Sequence, residues 1–70
     1  MKLLIVVEQT GTGYSAYSPD LPGCVATGHS REDVERTMRE AMGFHVEALH
    51  AEGLALPEPH TYATMVEVAA

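Results

Sequence analysis

Cys24 and His29 are the first residues whose types suggest chemistry, because a thiolate activated by a neighbouring imidazole is a common nucleophile and base. Their spacing defeats that pairing. Five residues of extended chain separate them by about 16 Å and turn them to opposite faces of a strand. Cys24 therefore reads as a buried structural residue, the setting in which a free cysteine behaves as a small hydrophobe. Four histidines, His29, His45, His50 and His60, raise the question of a metal, but none forms a helical i,i+4 pair and no second cysteine joins them. His45 falls on an apolar helix stripe and reads as a core or rim histidine, and His50 pairs with Glu47 at i,i+3. No metal site and no other cofactor is expected.

Carboxylates offer a second route to chemistry. A two-metal nuclease needs several acids converging on about 4 Å, and the acids outside the helix are Glu8, Asp20, Glu58 and Glu67. They are scattered over loops, element ends and the far part of the last strand. Asp20 stands out, since it lies in a turn between Pro19 and Pro22 where an aspartate can bond its own backbone. Gly11-Thr12-Gly13 is too short for a phosphate loop and connects two strands. No residue is assigned a catalytic role.

The chain has 70 residues, so one domain is expected over residues 1–70, with a thin core. Its 46% hydrophobic content points to a folded chain rather than a disordered one. Ten acids against four basic residues, Lys2, Arg31, Arg36 and Arg39, leave a formal charge of -6. That balance argues against nucleic-acid binding, which rests on Lys and Arg, and favours a basic partner protein. A single cysteine forms no internal disulfide, which makes a reducing cytoplasm the default location. The apolar run at the start stops at Glu8, too short for a secretory signal or a membrane span, and reads as a strand.

Periodicity places the elements. Leu3 to Val7, Tyr14 to Ser18 and Cys24 to Gly28 read as three strands joined by short turns, most simply an antiparallel meander. From Ser30, a helix N-cap, the period changes, and Val34, Met38, Ala41, Met42, His45 and Leu49 form one helical stripe. Glu32–Arg36, Glu35–Arg39 and Arg36–Glu40 are spaced for i,i+4 ion pairs. The helix should run from Arg31 to Glu52, stopped by Gly53, Pro57 and Pro59. His60 to Val68 alternates as a fourth strand.

The expected architecture is α+β, a two-layer β-β-β-α-β arrangement with one helix on a mixed four-stranded sheet of order 3-2-1-4. Strand 1 is apolar on both faces, which suits the middle of a sheet covered on both sides. One helix covers one face, so Leu4, Val6, Tyr17 and Met65 are expected to form an oligomer face, in a homodimer or homotetramer. Glu40, Glu47 and Glu52, in the later part of the helix beyond the arginines, make the acidic surface expected to meet a partner.

The run from Tyr17 through Ser18-Pro19-Asp20-Leu21-Pro22-Gly23-Cys24 to Gly28, followed by Ser30, Glu32 and a long helix, resembles the HicB family. Members of that family are the antitoxin half of HicA–HicB modules. The resemblance covers nearly the whole chain. It implies a partly degraded RNase H-like domain without nuclease activity, whose task is to bind and neutralise a small basic HicA-type mRNA interferase. It also gives Pro19, Asp20, Leu21, Pro22, Gly23 and Cys24 the meaning of a signature turn and interface rather than a catalytic site. Many family members carry a C-terminal DNA-binding domain, whereas this sequence ends two residues after its last strand, so direct DNA binding is not expected. The alternatives are a stand-alone oligomeric structural or small-ligand-binding domain, and a residual metal-dependent RNase H-like nuclease using Asp20 and Glu8.

Overall fold

Alternation of apolar side chains shapes the first half of the chain. In the computed structural model, which describes all 70 residues, β1 (Val6–Gln9), β2 (Tyr14–Tyr17) and β3 (Val25–Gly28) form a sheet of order β1-β2-β3. Both pairings are antiparallel, with Val6 opposite Tyr17 and Tyr17 opposite Val25. The amide of Thr10 donates to the carbonyl of Gly13 at 2.8 Å and closes the first hairpin. Leu3, Ile5, Val7, Tyr14, Ala16 and Ala26 turn to one face.

Helix α1 (Arg31–Ala51) covers that face. It starts where Ser30 accepts the Asp33 amide at 3.1 Å, and Glu32 and Asp33 place negative charge against the positive end of its dipole. It ends where the amides of Gly53 and Leu54 turn back to the carbonyls of His50 and Leu49, the hydrogen-bonding pattern of a Schellman end. Its 21 residues span about 31 Å, much longer than the four-residue strands beneath it. The stripe holds with one change, since Val46 rather than His45 packs against the core. Val34 and Met38 are wholly buried among Ala16, Leu21 and Cys24, while Ala41, Met42, Val46 and Leu49 pack at the edge of that cluster. Gly28 makes the close approach feasible, because a Cβ there would lie 2.8 Å from the Val34 amide nitrogen. The core is thin, as the length implies: six of 70 residues are buried.

Three expectations fail here, the first being the bounds of strand 1: β1 covers Val6–Gln9 rather than Leu3 to Val7, because its ladder reaches only as far as Tyr14–Tyr17 of β2 lies opposite. The i,i+4 ion pairs are replaced by one i,i+3 bridge, in which Arg36 meets Asp33 at 3.0 Å on the exposed side. Larger in consequence, residues 60–68 pair with no strand, and every residue from Glu58 onward is exposed. The sheet is three-stranded and wholly antiparallel, so the mixed four-stranded sheet of order 3-2-1-4 does not form within the chain. The parallel strand beside β1 that an RNase H-like sheet requires is missing with it. An extended segment becomes a strand only against a neighbour's amides and carbonyls, and the chain meets none after Thr61. Its radius of gyration is 13.9 Å, against about 11 Å for a compact chain of this length, and its longest extent is 50 Å. The α+β class, with one helix packed on an antiparallel sheet, stands.

Candidate partner-binding surfaces

The signature turn is built from buried and exposed positions in strict division. Ser18, at the end of β2, is buried and donates its hydroxyl to the Leu4 carbonyl at 2.8 Å, tying the turn to the N-terminal segment. The Leu21 amide reaches the Ser18 carbonyl, and the Cys24 amide reaches the Leu21 carbonyl. Leu21 and Cys24 plug the core, Pro19 and Asp20 are half-buried, and Pro22 and Gly23 form the exposed tip. Gly23 sits at φ 84, a left-handed conformation that side chains other than glycine's disfavour. Burial pushes the Cys24 thiol up, away from the reactive thiolate, so its place is in packing.

Asp20 has a partner that sequence spacing did not reveal. Rather than bonding its own turn, its carboxylate accepts the His60 and Thr61 amides, both at 3.1 Å, and the Thr61 hydroxyl at 2.8 Å. Desolvation raises its pKa, but the hydrogen bonds from Thr61 and His60 outweigh it and hold the carboxyl below its usual value. Glu8 is not beside it. The Val6–Tyr17 rung lies between them, with Glu8 two residues further along β1 in one direction and Asp20 three residues past Tyr17 in the other. The two carboxylates proposed for a nuclease are therefore at opposite ends of the sheet. No three His, Cys, Asp or Glu side chains converge to hold a metal ion. His45 is half-buried on the helix, whereas His29, His50 and His60 are exposed.

The sheet face opposite the helix carries Val6, Tyr17 and Val25 in one cross-strand row, with half-buried Leu4 just before it. Val25, 70% exposed, belongs to this row although the sequence reading did not single it out. Met65 does not join it. It lies in the unpaired C-terminal segment, 95% exposed.

The outward side of α1 is acidic. Glu40 and Glu47 flank Phe44 at i,i+4 and i,i+3 spacing, and all three are exposed, while Glu52 caps the helix end. Phe44 is the chain's one phenylalanine, is 70% exposed, and was missed by a reading that followed only the buried stripe. The available signal was its position, an aromatic residue off the stripe between two carboxylates. No helix is long and apolar enough to cross a membrane.

Comparison with known proteins agrees with this architecture. The model of a family described as the HicB-like antitoxin of bacterial toxin-antitoxin systems matches residues 3–69. A protein of Helicobacter pylori (strain J99) named UPF0150 protein is 34% identical over 70 residues, covering 99% of this chain and 97% of its own length. An uncharacterised 14.9 kDa protein from the rep-hol intergenic region of Haemophilus phage HP1 is 32% identical over 54 residues, which cover 77% of this chain and 41% of the phage protein. Among solved structures, a chain of a HicA3 and HicB3 toxin-antitoxin complex superposes with a TM-score of 0.66 at 34% identity, covering 84% of this chain and 72% of that one.

Proposed function

The chain belongs to the HicB-like antitoxin family of bacterial toxin-antitoxin systems, and from that membership we propose that it is a non-catalytic antitoxin that binds a small basic HicA-type mRNA interferase and covers its active site. The observation that carries the reading is the free outer face of α1, where exposed Phe44 stands between Glu40 and Glu47. Aromatic side chains ringed by polar residues are the usual anchors of protein interfaces. The surrounding carboxylates speed and orient the approach of a basic protein. The solved relative, described as a toxin-antitoxin complex, supports a partner of the same kind. The signature turn from Pro19 to Cys24 has a structural part in this reading: it holds the exposed Pro22-Gly23 tip rigid for contact.

The antitoxin acts in the cytoplasm as a single domain over residues 1–70, as a homodimer or homotetramer, with Leu4, Val6, Tyr17 and Val25 as the sheet face available for contact between copies. It binds no DNA directly, since four basic residues supply too little charge for phosphate binding. The test is co-purification with the product of a small basic gene adjacent to its own, at low and at raised salt. A complex at low salt that weakens as salt rises is expected. Phe44→Ala should weaken capture roughly tenfold or more while leaving the helix intact by circular dichroism. No complex at low salt overturns the reading.

A further inference from the structure

We propose that residues 62–68 form a fourth strand on the open β1 edge of a second copy of this chain, which lends its own segment in return. The inference deepens the oligomeric part of the proposed function and is independent of the toxin.

The donor is a strand in everything but its neighbour. Tyr62, Thr64, Val66 and Val68 alternate with Ala63, Met65 and Glu67, a pattern rich in β-branched and aromatic residues. Yet Tyr62 is 84% exposed, Val66 75% and Val68 78%. The acceptor is equally incomplete. β1 pairs with β2 alone, which leaves the amides and carbonyls of its other edge free. Against that edge, between the β1 side of the sheet and α1, lies a cleft of about 420 Å³ lined by apolar Leu3, Ile5 and Met42. A second hollow of about 240 Å³ continues from Leu3 and Met42 to Val46. This is where side chains of a strand added to β1 would descend onto the helix.

Length and charge both match. Residues 62–68 extend roughly 23 Å, as does the run from Leu3 to Gln9 that they would accompany. The cleft is rimmed by Lys2 and Arg39, two of the chain's four basic residues, with Glu35 beside them. The donor segment carries Glu67 and no basic residue. The Asp20 carboxylate grips His60 and Thr61 and thereby fixes where the segment leaves its own domain. From that point it runs into solvent rather than along its own β1. An exchange about a two-fold axis satisfies both donors and both edges at once, closes on itself, and completes between two copies the order 3-2-1-4 that one copy lacks.

Sedimentation of the wild-type chain should give twice the 7.5 kDa mass of one copy. Hydrogen exchange should show residues 62–68 and the Leu3 to Val7 run protected together. The double variant Met65→Pro/Val66→Pro removes one ladder donor whichever of the two adjacent amides faces β1, so the dimer should dissociate roughly 100-fold more readily and both segments should lose protection together. Val66→Thr, which keeps strand geometry, should preserve the dimer. A wild-type monomer overturns the proposal, and protection of 62–68 in that monomer would mean the segment folds back on its own β1. A dimer that survives the double proline variant also overturns it, while leaving oligomerisation through another face in place. Toxin capture, read separately by co-purification, does not depend on any of these outcomes.

Discussion

Leu3, Ile5, Val7 and Tyr14 and the set Tyr62, Met65, Val66 and Val68 are both apolar, yet the first four pack onto the core and the second four stand in solvent. Hydrophobicity does not separate these regions. What separates them is a neighbour: the first set lies in or beside a hairpin covered by α1, and the second follows two prolines out of a loop and meets no strand edge. Alternation marks a segment as able to form a strand, but burial follows only where another element receives it.

The sharpest way to break this comparison is to truncate one methionine in each region. Met38→Ala should cost about 2–5 kcal/mol, a large fraction of the stability of a chain this small, and lower the denaturation midpoint steeply. Met65→Ala, at a protein concentration low enough to keep the chain monomeric, should change it by less than about 0.5 kcal/mol. Equal losses would show that residues 60–68 are folded into the domain.

Asp20 joins the two regions, so its removal sharpens the comparison next. In Asp20→Ala, again at a concentration low enough to keep the chain monomeric, the His60 and Thr61 amides should exchange as freely as those of residues 63–68, while the helix amides keep their protection. The same tether should depend on pH. Because the folded-state pKa lies below the ordinary Asp value, the carboxylate contributes fully above about pH 4, and the contribution fades as pH falls through the folded value. The Thr61 amide resonance followed by NMR should therefore hold steady at neutral pH and move only under acid conditions. The smallest effect belongs to Arg36→Ala. Its bridge to Asp33 is solvent-exposed, and unfolding should change by no more than about 0.5 kcal/mol.

Much of the folded region was legible in advance. Ser30 caps a helix in any context that offers the Asp33 amide, and the stripe from Val34 to Leu49 needs a single apolar partner surface, so both could be read from spacing. The signature turn was legible in place but not in purpose. Asp20 looked like a residue bonding its own backbone, whereas its acceptors are filled from 40 residues away, a distance that no local pattern encodes. Phe44 went unnoticed for the opposite reason: a stripe identifies what is buried and says nothing about an aromatic residue left outside it.

By itself the sequence determined the features whose energetics are local: three short strands and their turns, the start and stop of α1, the left-handed Gly23, and the excess of negative charge on the helix. Only the tertiary structure decided that residues 60–68 pair with no strand of their own copy, that the β1 edge stays open beside an apolar cleft, and that Asp20 holds the chain at Thr61. A cap or a turn is closed by residues within a few positions of one another, so spacing suffices to read it. A strand is completed by whatever edge the rest of the molecule, or a second copy of it, brings alongside.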